Sequence, residues 1–210
     1  MDADDVEVIE KTTPFDGYFR IDRYSIKHRL FEGGWGGEIS REIFERGHAA
    51  CCLLFDPERD ALVFIEQFRP GAYAALASPW YDAAESSPWL IEVVAGIIDE
   101  GENPEDVVRR EALEESGCTV SNLELISHYL VTPGGSTESM FSYCGRVDSS
   151  TAMGIHGVAE EGENIRVFVV SADEAFAMMD QGRIINSMTM IAMMWFRTNH
   201  QNLRTRWLEK

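Results

Sequence analysis

The feature that most constrains the fold is the segment 96–118, which reads GIIDEGENPEDVVRREALEESGC. Within it, Asn103 is a residue that helices favour at the N-cap, and Pro104 suits the first helical position. Gly117 is typical of a helix end, because glycine adopts the left-handed backbone conformation without strain. The pattern therefore predicts a loop over 96–102, followed by a helix that ends at Gly117.

The predicted helix turns carboxylates toward its apolar side. At about 100° per residue, Glu111 and Glu115 lie roughly 40° and 80° from Val107 around the helix axis. Like charges in contact inside a protein repel each other unless a proton or a cation lies between them. Carboxylate oxygens suit Mg²⁺ or Mn²⁺ better than zinc, so the pattern indicates a metal site. The alternative is a surface network in which these glutamates pair with Arg109 and Arg110.

The segment resembles the Nudix box. That pattern is a glycine, five residues, a glutamate, seven residues, then R-E-hydrophobic-x-E-E-x-G-hydrophobic. Its fixed positions are filled here by Gly96, Glu102, Arg110, Glu111, Ala112, Glu114, Glu115, Gly117 and Cys118. The Nudix family uses a divalent metal ion to hydrolyse a nucleoside diphosphate linked to another moiety. By this resemblance, Glu102 and Arg110 would form an ion pair that orients the box.

The resemblance also implies a ligand set for Mg²⁺ or Mn²⁺. It makes Glu111 and Glu115 metal ligands that belong to the catalytic machinery, and Glu114 a third ligand. The backbone carbonyl of Ala95 would join the same metal shell.

The N-terminal part of the chain shows strand patterns. Residues 17–31 alternate aromatic or aliphatic residues with charged ones, and 38–44 resume the extended pattern after a glycine-rich turn. The resemblance implies an α/β Nudix fold in which a mixed β-sheet lies between helices. We expect residues 1–45 to form a small β-rich appendage for dimerisation and substrate binding, and 46–210 to form the Nudix hydrolase domain.

Further elements are predicted along the hydrolase domain. They are a hairpin over 48–55 and 61–67, a loop over 71–88, one buried strand over 90–95, a helix from Ser171 to Gln181, and a long helix from Asn186. The 71–88 loop would be an active-site wall or a dimer contact. In the last helix, core positions are predicted for Met190, Met193, Met194 and Trp195.

Several motifs resemble the ADP-ribose pyrophosphatase branch of the family, in which N-terminal strands are exchanged across a homodimer and help to bind adenine. The resemblance makes Tyr18 and Phe19 candidates for stacking on adenine, whereas both would otherwise be core aromatics of the appendage. Arg41 and Arg69, the latter in EQFRPGAY, become candidate substrate contacts. As isolated residues, both arginines would be plain surface charges.

A second motif of the branch follows the box in TPGGSTE. Pro133 lies fifteen residues after Cys118, the distance at which a proline marks ADP-ribose pyrophosphatases within the family. Gly134 and Gly135 would allow the backbone to approach a ligand closely, or would simply form a tight turn. By the same resemblance, Glu138 would lie near the terminal ribose.

The acidic loop 154–164 precedes an apolar strand. In the resembled branch the general base lies on this loop, and the pattern GVAEEGENIRV places it at Glu161, with Glu163 as an auxiliary carboxylate in the substrate site. A register error of one would move the base to Glu160. The alternative is a solvated acidic loop.

The amino-acid composition limits the kinds of molecule that the protein can bind. A net charge of −18 argues against a nucleic-acid surface, although a bound cation and a few arginines can still accept a small anion. The four cysteines lack zinc-like spacing and fit a reducing cytoplasm. The acidic N-terminus is no signal peptide, and no segment predicts a membrane span.

The sequence therefore predicts a metal-dependent hydrolase that converts ADP-ribose to AMP and ribose 5-phosphate, working as a homodimer. One alternative keeps the chemistry but changes the substrate to GDP-mannose, another nucleotide sugar or a dinucleotide. A further alternative is a non-catalytic module that senses ADP-ribose, which would not need the complete set of box glutamates.

Overall fold

The computed structural model describes residues 1–82 and 85–209, with only the backbone of Glu161. Its strands are β1 (Val6–Asp16), β2 (Arg20–His28), β3 (Ile39–Glu45), β4 (Ala49–Asp56), β5 (Ala61–Phe68), β6 (Trp89–Glu92), β7 (Val94–Ile97), β8 (Asn122–Leu130), β9 (Ser139–Arg146), β10 (Gly154–His156) and β11 (Ile165–Ser171). Its α-helices are α1 (Pro70–Ala75), α2 (Pro104–Ser116), α3 (Ala172–Asp180) and α4 (Ser187–Leu208).

The chain divides into two compact units. The first contains Met1–His48 and Tyr129–Ser139, and the second contains Ala49–His128 and Met140–Lys210. In the first unit, β1, β2 and β3 form an antiparallel sheet in that order. The strand patterns over 17–31 and 38–44 correspond to β2 and β3, whereas β1 was not predicted.

The first unit is held together by polar contacts around one buried carboxylate. Asp22 is fully buried and pairs with Lys11 at 2.8 Å and Arg20 at 3.2 Å. Thr13 donates a further hydrogen bond to the same carboxylate at 2.8 Å. These partners hold the pKa of Asp22 below its ordinary value, Lys11 contributing most. Every residue of β1 is exposed, so this strand has little apolar packing within the chain.

The second unit is built on a mixed sheet with the order β10-β11-β5-β4-β9-β8. Strand β4 pairs parallel with β9 and antiparallel with β5 and β7. All of β4 is buried, as its continuous apolar sequence AACCLLF predicts for a central strand. The predicted hairpin over 48–55 and 61–67 is confirmed as β4 and β5.

Helices cover both faces of β4. Cys52 and Leu54 lie in the core cluster that contains Val107 and Ala112 of α2. Phe55 instead packs edge-on against Phe196 of α4, with ring centroids 4.9 Å apart. Because successive side chains of a strand point to opposite faces, this alternation places the sheet between α2 and α4. The predicted α/β architecture is confirmed.

The predicted single strand over 90–95 is two strands in the structure. Strand β6 pairs with β5, with Glu92 opposite Ile65, whereas β7 pairs with β4, with Ala95 opposite Cys51. Between them, the backbone N–H of Val93 donates to Thr189 Oγ1 of α4 at 3.0 Å. The expectation of one strand was wrong because a continuous apolar run does not reveal a change of pairing partner.

The segment 71–88 is not wholly a loop. Its first residues belong to α1, which begins at Pro70 as proline permits at the first helical position. The remaining described residues form turns, and Ala83 and Ala84 lie outside the described part of the chain.

The C-terminal helices begin at the predicted caps. Ser171 Oγ accepts from the N–H of Glu174 at 3.2 Å, and Asn186 Oδ1 accepts from the N–H of Thr189 at 3.0 Å. Among the described residues, no helix is long and apolar enough to cross a membrane.

The methionines of α4 are not all in the core. Met193 is fully buried, but Met190 and Met194 are 39% and 59% exposed. The prediction for these two was therefore wrong: they lie one turn apart on the outer side of a helix whose buried face contains Met193.

Candidate active site

Helix α2 presents the box residues, and its ends are formed as the sequence predicts. Asn103 Oδ1 accepts from the N–H of Glu105 at 3.1 Å. Gly117 ends the helix in the left-handed conformation, with φ of 69°, and its N–H bonds to the carbonyl of Leu113 at 2.9 Å. A Cβ at Gly117 would also lie 2.9 Å from His156, so both the conformation and the space require glycine.

Two box carboxylates face the protein, as the helical angles predict. Glu115 is 2% exposed and Glu111 is half-buried, whereas Glu114 is exposed. Glu115 Oε2 accepts a hydrogen bond from the backbone N–H of Ala95 at 2.9 Å. Helix α2 and strand β7 thus hold these side chains between them.

Gly96 makes room for the second carboxylate. A Cβ built on Gly96 would lie 1.9 Å from Glu111 Oε1 and 2.3 Å from its carboxyl carbon. The absence of a side chain at this position therefore allows Glu111 to lie against β7. This is a physical reason for the glycine that opens the box.

Burial raises the proton affinity of the Glu115 carboxylate. Desolvation raises the pKa of Glu115 from its ordinary 4.5 to about 8, and the negative charges of Glu111 and Glu163 add to the increase. The N–H of Ala95 and the positive charge of Arg69 act in the opposite direction. In the absence of a cation, Glu115 therefore carries a proton at neutral pH.

Arg110 bridges three acidic side chains. Its Nη1 lies 2.7 Å from Glu111 Oε1 and 3.3 Å from Glu114 Oε2, and its Nη2 lies 3.5 Å from Glu102 Oε2. The ion pair expected between Glu102 and Arg110 is present. Desolvation raises the pKa of Glu111, and Arg110 offsets part of this increase.

The alternative of a surface network is partly realised. Arg110 does pair with box glutamates, but Arg109 instead donates to the backbone carbonyl of Val120 at 2.5 Å. Because Glu115 is buried away from both arginines, a surface network does not account for it.

The donor set on α2 and β7 fits a hard divalent cation. In the described part of the chain, no three His, Cys, Asp or Glu side chains converge in metal-binding geometry. Among the residues that the structure describes, no cationic side chain lies within hydrogen-bonding distance of the buried Glu115, and Glu111 is paired with Arg110. Oxygen donors of this kind suit Mg²⁺ or Mn²⁺.

Arg69 lies at the end of β5 and is tethered by a buried acid that the sequence analysis missed. Its Nε and Nη2 lie 2.8 Å and 2.7 Å from Glu92 Oε2. Gln67 Nε2 donates to the same oxygen at 3.3 Å. The available signal was an isolated carboxylate within the apolar run WLIEVVAG.

The acidic loop 154–164 reaches α2. The N–H of Gly157 bonds to the backbone carbonyl of Glu114 at 3.2 Å, and Glu163 Oε2 accepts from the N–H of Val158 at 2.9 Å. The charge of Glu163 raises the pKa of both Glu111 and Glu115. Glu163 therefore belongs to the carboxylate cluster, and the loop is not simply a solvated segment. The side chain of Glu161 lies outside the described atoms.

The aromatic candidates belong to the first unit. Tyr18 is 87% exposed and contacts Phe19 edge-on, with ring centroids 4.7 Å apart. Phe19 packs against Phe44 at 4.9 Å, and the Arg46 guanidinium lies 5.8 Å from the Phe19 ring. The alternative that both are core aromatics is wrong for Tyr18.

The other candidates of the first unit lie on β3 and in the turn before β9. Arg41 is exposed and donates to the carbonyl of Ser40 at 2.8 Å. A Cβ at Gly134 or Gly135 would meet no atom within 4 Å, so the structure of the chain itself does not require glycine there. Glu138 is buried and pairs with Arg46 at 3.4 Å.

A sheet enclosed by helices, with box carboxylates on α2, defines a Nudix hydrolase. The chain belongs to the Nudix family, because the family model described as NUDIX domain matches residues 45–187. Nudix ADP-ribose pyrophosphatases generally need a divalent metal ion.

Similar curated proteins cover nearly the whole chain. The ADP-ribose pyrophosphatase of Escherichia coli (strain K12) is 47% identical over 203 residues, which are 97% of this chain and 93% of that protein. The ADP-ribose pyrophosphatase of Haemophilus influenzae is 38% identical, with 97% and 91% covered. The GDP-mannose pyrophosphatase of Pectobacterium atrosepticum is 31% identical over 186 residues, with 89% and 91% covered.

A solved structure shares the fold. The crystal structure of an ADP compounds hydrolase superposes with a TM-score of 0.68 at 15% sequence identity, covering 94% of this chain and 95% of that one. At this identity the likeness establishes the fold.

Proposed function

We propose that this protein hydrolyses the diphosphate bond of ADP-ribose to AMP and ribose 5-phosphate. The observation that carries the proposal is the pair of inward-facing carboxylates on α2: Glu115 is 2% exposed and accepts from the N–H of Ala95, and Glu111 lies against Gly96. The charges of Glu163 and Arg69 act on this pair. Such a cluster offers oxygen donors for a cation and an arginine for a phosphate. The similarity to curated ADP-ribose pyrophosphatases favours ADP-ribose among diphosphates.

We assign the metal site to Glu111, Glu114, Glu115 and the backbone carbonyl of Ala95, with Mg²⁺ or Mn²⁺ as the ion. Bound there, a divalent ion supplies charge neutralisation at the diphosphate and lowers the pKa of a bound water. To serve as a ligand, Glu115 must lose the proton that burial favours, while Glu111 exchanges the Arg110 guanidinium for the cation.

The general base is assigned to Glu161, on the loop whose Gly157 bonds to α2. A carboxylate on this loop would take the proton of the attacking water. Glu163 would act as the auxiliary carboxylate, because its charge already influences Glu111 and Glu115.

The substrate contacts are of three kinds. Arg69 and Arg41 would neutralise phosphate charge, since the guanidinium group matches the geometry of phosphate oxygens. Tyr18 and Phe19 would stack on adenine. Gly134 and Gly135 would let the backbone approach the substrate closely, and Glu138 would lie near the terminal ribose. The exposed ring of Tyr18 is consistent with a stacking role.

A homodimer with exchanged N-terminal strands is part of the proposal. Strand β1 carries Val6, Val8, Ile9 and Phe15, each at least 43% exposed, and a second copy would cover these apolar side chains. Residues 1–45 would accordingly serve dimerisation and substrate binding, with 46–210 as the hydrolase domain. The four free, buried cysteines fit a cytoplasmic location.

The experiment is incubation of the purified protein with ADP-ribose and Mg²⁺, followed by chromatography of the products. AMP and ribose 5-phosphate should form, and chelator or Glu115→Gln should abolish them. Glu105→Gln is the matched control, because Glu105 lies on the same helix but is exposed. Full turnover by Glu115→Gln would refute the metal assignment.

A second candidate substrate is GDP-mannose. It is favoured by the similarity to GDP-mannose pyrophosphatases over most of the chain. A panel that includes GDP-mannose, other nucleotide sugars and dinucleotides separates the two: the preferred substrate has the highest kcat/KM. Binding of ADP-ribose without any product would instead support a sensing module.

A further inference from the structure

Arg69 is held by one edge of its guanidinium group. Nε and Nη2 both contact a single oxygen, Glu92 Oε2, at 2.8 Å and 2.7 Å. The backbone is also fixed, because the N–H of Arg69 donates to the carbonyl of Pro88 at 2.9 Å, and its own carbonyl accepts from the N–H of Tyr73 at 3.0 Å. Hydrogen bonds therefore fix both the backbone of Arg69 and one edge of its guanidinium group.

The acid that holds it is itself fixed. Glu92 is 2% exposed and lies opposite Ile65 in the register of β6 on β5. Gln67, also buried, donates to the same Oε2 at 3.3 Å. Burying a carboxylate is costly unless it is paired, so a neutral side chain would be the easier choice at this position if only packing mattered.

The opposite edge of Arg69 remains available. Among the contacts of the described residues, Nη1 of Arg69 has no partner, and 39% of the side chain is exposed. Strand β6, which carries Glu92, is followed directly by β7, whose Ala95 N–H donates to Glu115, and the charge of Arg69 acts on Glu115 and Glu163. An arginine with one edge tethered presents the other at a fixed angle, as recognition of a phosphate requires.

We propose that Glu92, assisted by Gln67, is a positioning residue that holds the Arg69 guanidinium with its free edge toward the substrate diphosphate. The inference deepens the proposed function and rests on it for the nature of the substrate. Glu92 itself would not touch the substrate, because it is only 2% exposed and its Oε2 is engaged by Arg69 and Gln67.

The first test is a double-mutant cycle on the hydrolysis of ADP-ribose. Glu92→Gln keeps the shape but removes the charge, and we expect kcat/KM to fall about tenfold, mainly through KM. Arg69→Ala should cost about 100-fold, and adding Glu92→Gln to it should cost less than about twofold more. If the two losses multiply instead, Glu92 does not act through Arg69 and the inference is wrong.

A matched control is provided by a second Glu–Arg pair in the same unit. Arg166 Nε lies 2.8 Å from Glu66 Oε2, and Glu66 precedes Gln67 on β5. Glu66→Gln should leave kcat and KM within about twofold of the wild type. A loss equal to that of Glu92→Gln would show that any such pair affects activity through the fold alone, and would overturn the inference.

A second test uses free guanidinium ion. In Arg69→Ala the carboxylate of Glu92 remains, so millimolar guanidinium should restore activity in a saturable manner. The double variant with Glu92→Gln should not respond. This measurement also stands if Glu92→Gln fails to fold, because absence of rescue in Arg69→Ala would by itself count against a guanidinium site formed by Glu92.

A third test of the positioning role does not depend on catalysis. The side-chain Nε–H NMR signal of Arg69, identified by its loss in Arg69→Ala, should exchange slowly with water in the metal-free wild type and rapidly in Glu92→Gln. Unchanged exchange would refute the positioning role. If the wild type does not hydrolyse ADP-ribose, the proposed function is wrong, but the positioning role of Glu92 can still be tested. The double-mutant cycle is then measured with the diphosphate that the wild type does hydrolyse.

Discussion

The buried carboxyl of Glu115 makes the stability of the metal-free protein depend on pH. Its pKa is about 8 in the folded protein against an ordinary value of 4.5, mainly because the side chain is 2% exposed. A carboxyl group whose pKa is higher in the folded than in the unfolded protein makes its full contribution to stability at pH values below the unfolded pKa. This contribution is lost as the pH rises toward the folded pKa. Glu115 should therefore lower the free energy of unfolding progressively between pH 4.5 and 8.

The size of the effect follows from the two pKa values. Each unit corresponds to about 1.4 kcal/mol, so the loss reaches about 1 kcal/mol at pH 5, about 3 at pH 7 and at most about 5 well above pH 8. Glu115→Gln cannot ionise, and its amide oxygen can still accept from the N–H of Ala95. Without metal, this variant should be more stable than the wild type by about 3 kcal/mol at pH 7, and by much less at pH 5.

The assay is denaturant unfolding in chelator from pH 5 to 8, comparing the wild type with Glu115→Gln. Other titrating groups are common to both proteins, so the difference between their curves isolates Glu115. Glu105→Gln, which alters an exposed carboxylate of the same helix, should follow the wild type. A difference between wild type and Glu115→Gln that does not change with pH would refute the reasoning.

Metal should reverse the order of stability. Ligation requires the deprotonated carboxylate, so binding at pH 7 should release close to one proton from Glu115. Calorimetry in two buffers with different ionisation enthalpies measures that proton. Added Mg²⁺ should stabilise the wild type and not Glu115→Gln.

Other predictions concern neighbouring and distant residues. Gly96→Ala should displace the flexible end of Glu111, lowering kcat/KM by about 100-fold with little change in Tm, as a kinetic and thermal comparison can check. Glu161→Gln should lower kcat far more than it changes KM. A change in KM alone would show that Glu161 contributes to substrate binding and is not the general base. His200 contacts Asp60 at 2.5 Å within an aromatic cluster, so His200→Ala should cost about 2 kcal/mol in denaturant unfolding while activity is retained.

The box helix was predictable because several independent signals coincide in one short segment. The cap at Asn103, the stop at Gly117 and the inward angles of Glu111 and Glu115 are all local properties of the chain, and all are present in the structure. The reason for Gly96 was not predictable, because it lies in contact with a side chain fifteen residues later.

Features that depend on pairing were harder to predict. The break between β6 and β7 leaves no trace in the apolar sequence, and the tether between Glu92 and Arg69 depends on that break. The exposed β1 was missed because its alternation of apolar and polar residues is weak. The exposure of Met190 and Met194 likewise follows from which side of α4 meets the sheet.

The change of pairing partner at Val93 also means that two different strands position the two parts of the site. The N–H of Arg69 donates to the carbonyl of Pro88, and β6 pairs with β5 directly after this hydrogen bond. Strand β7 is registered on β4, which carries Ala95 to α2. The pairing of β6 with β5 and of β7 with β4 therefore sets the frame that carries Glu92 on one side of Val93 and Ala95 on the other.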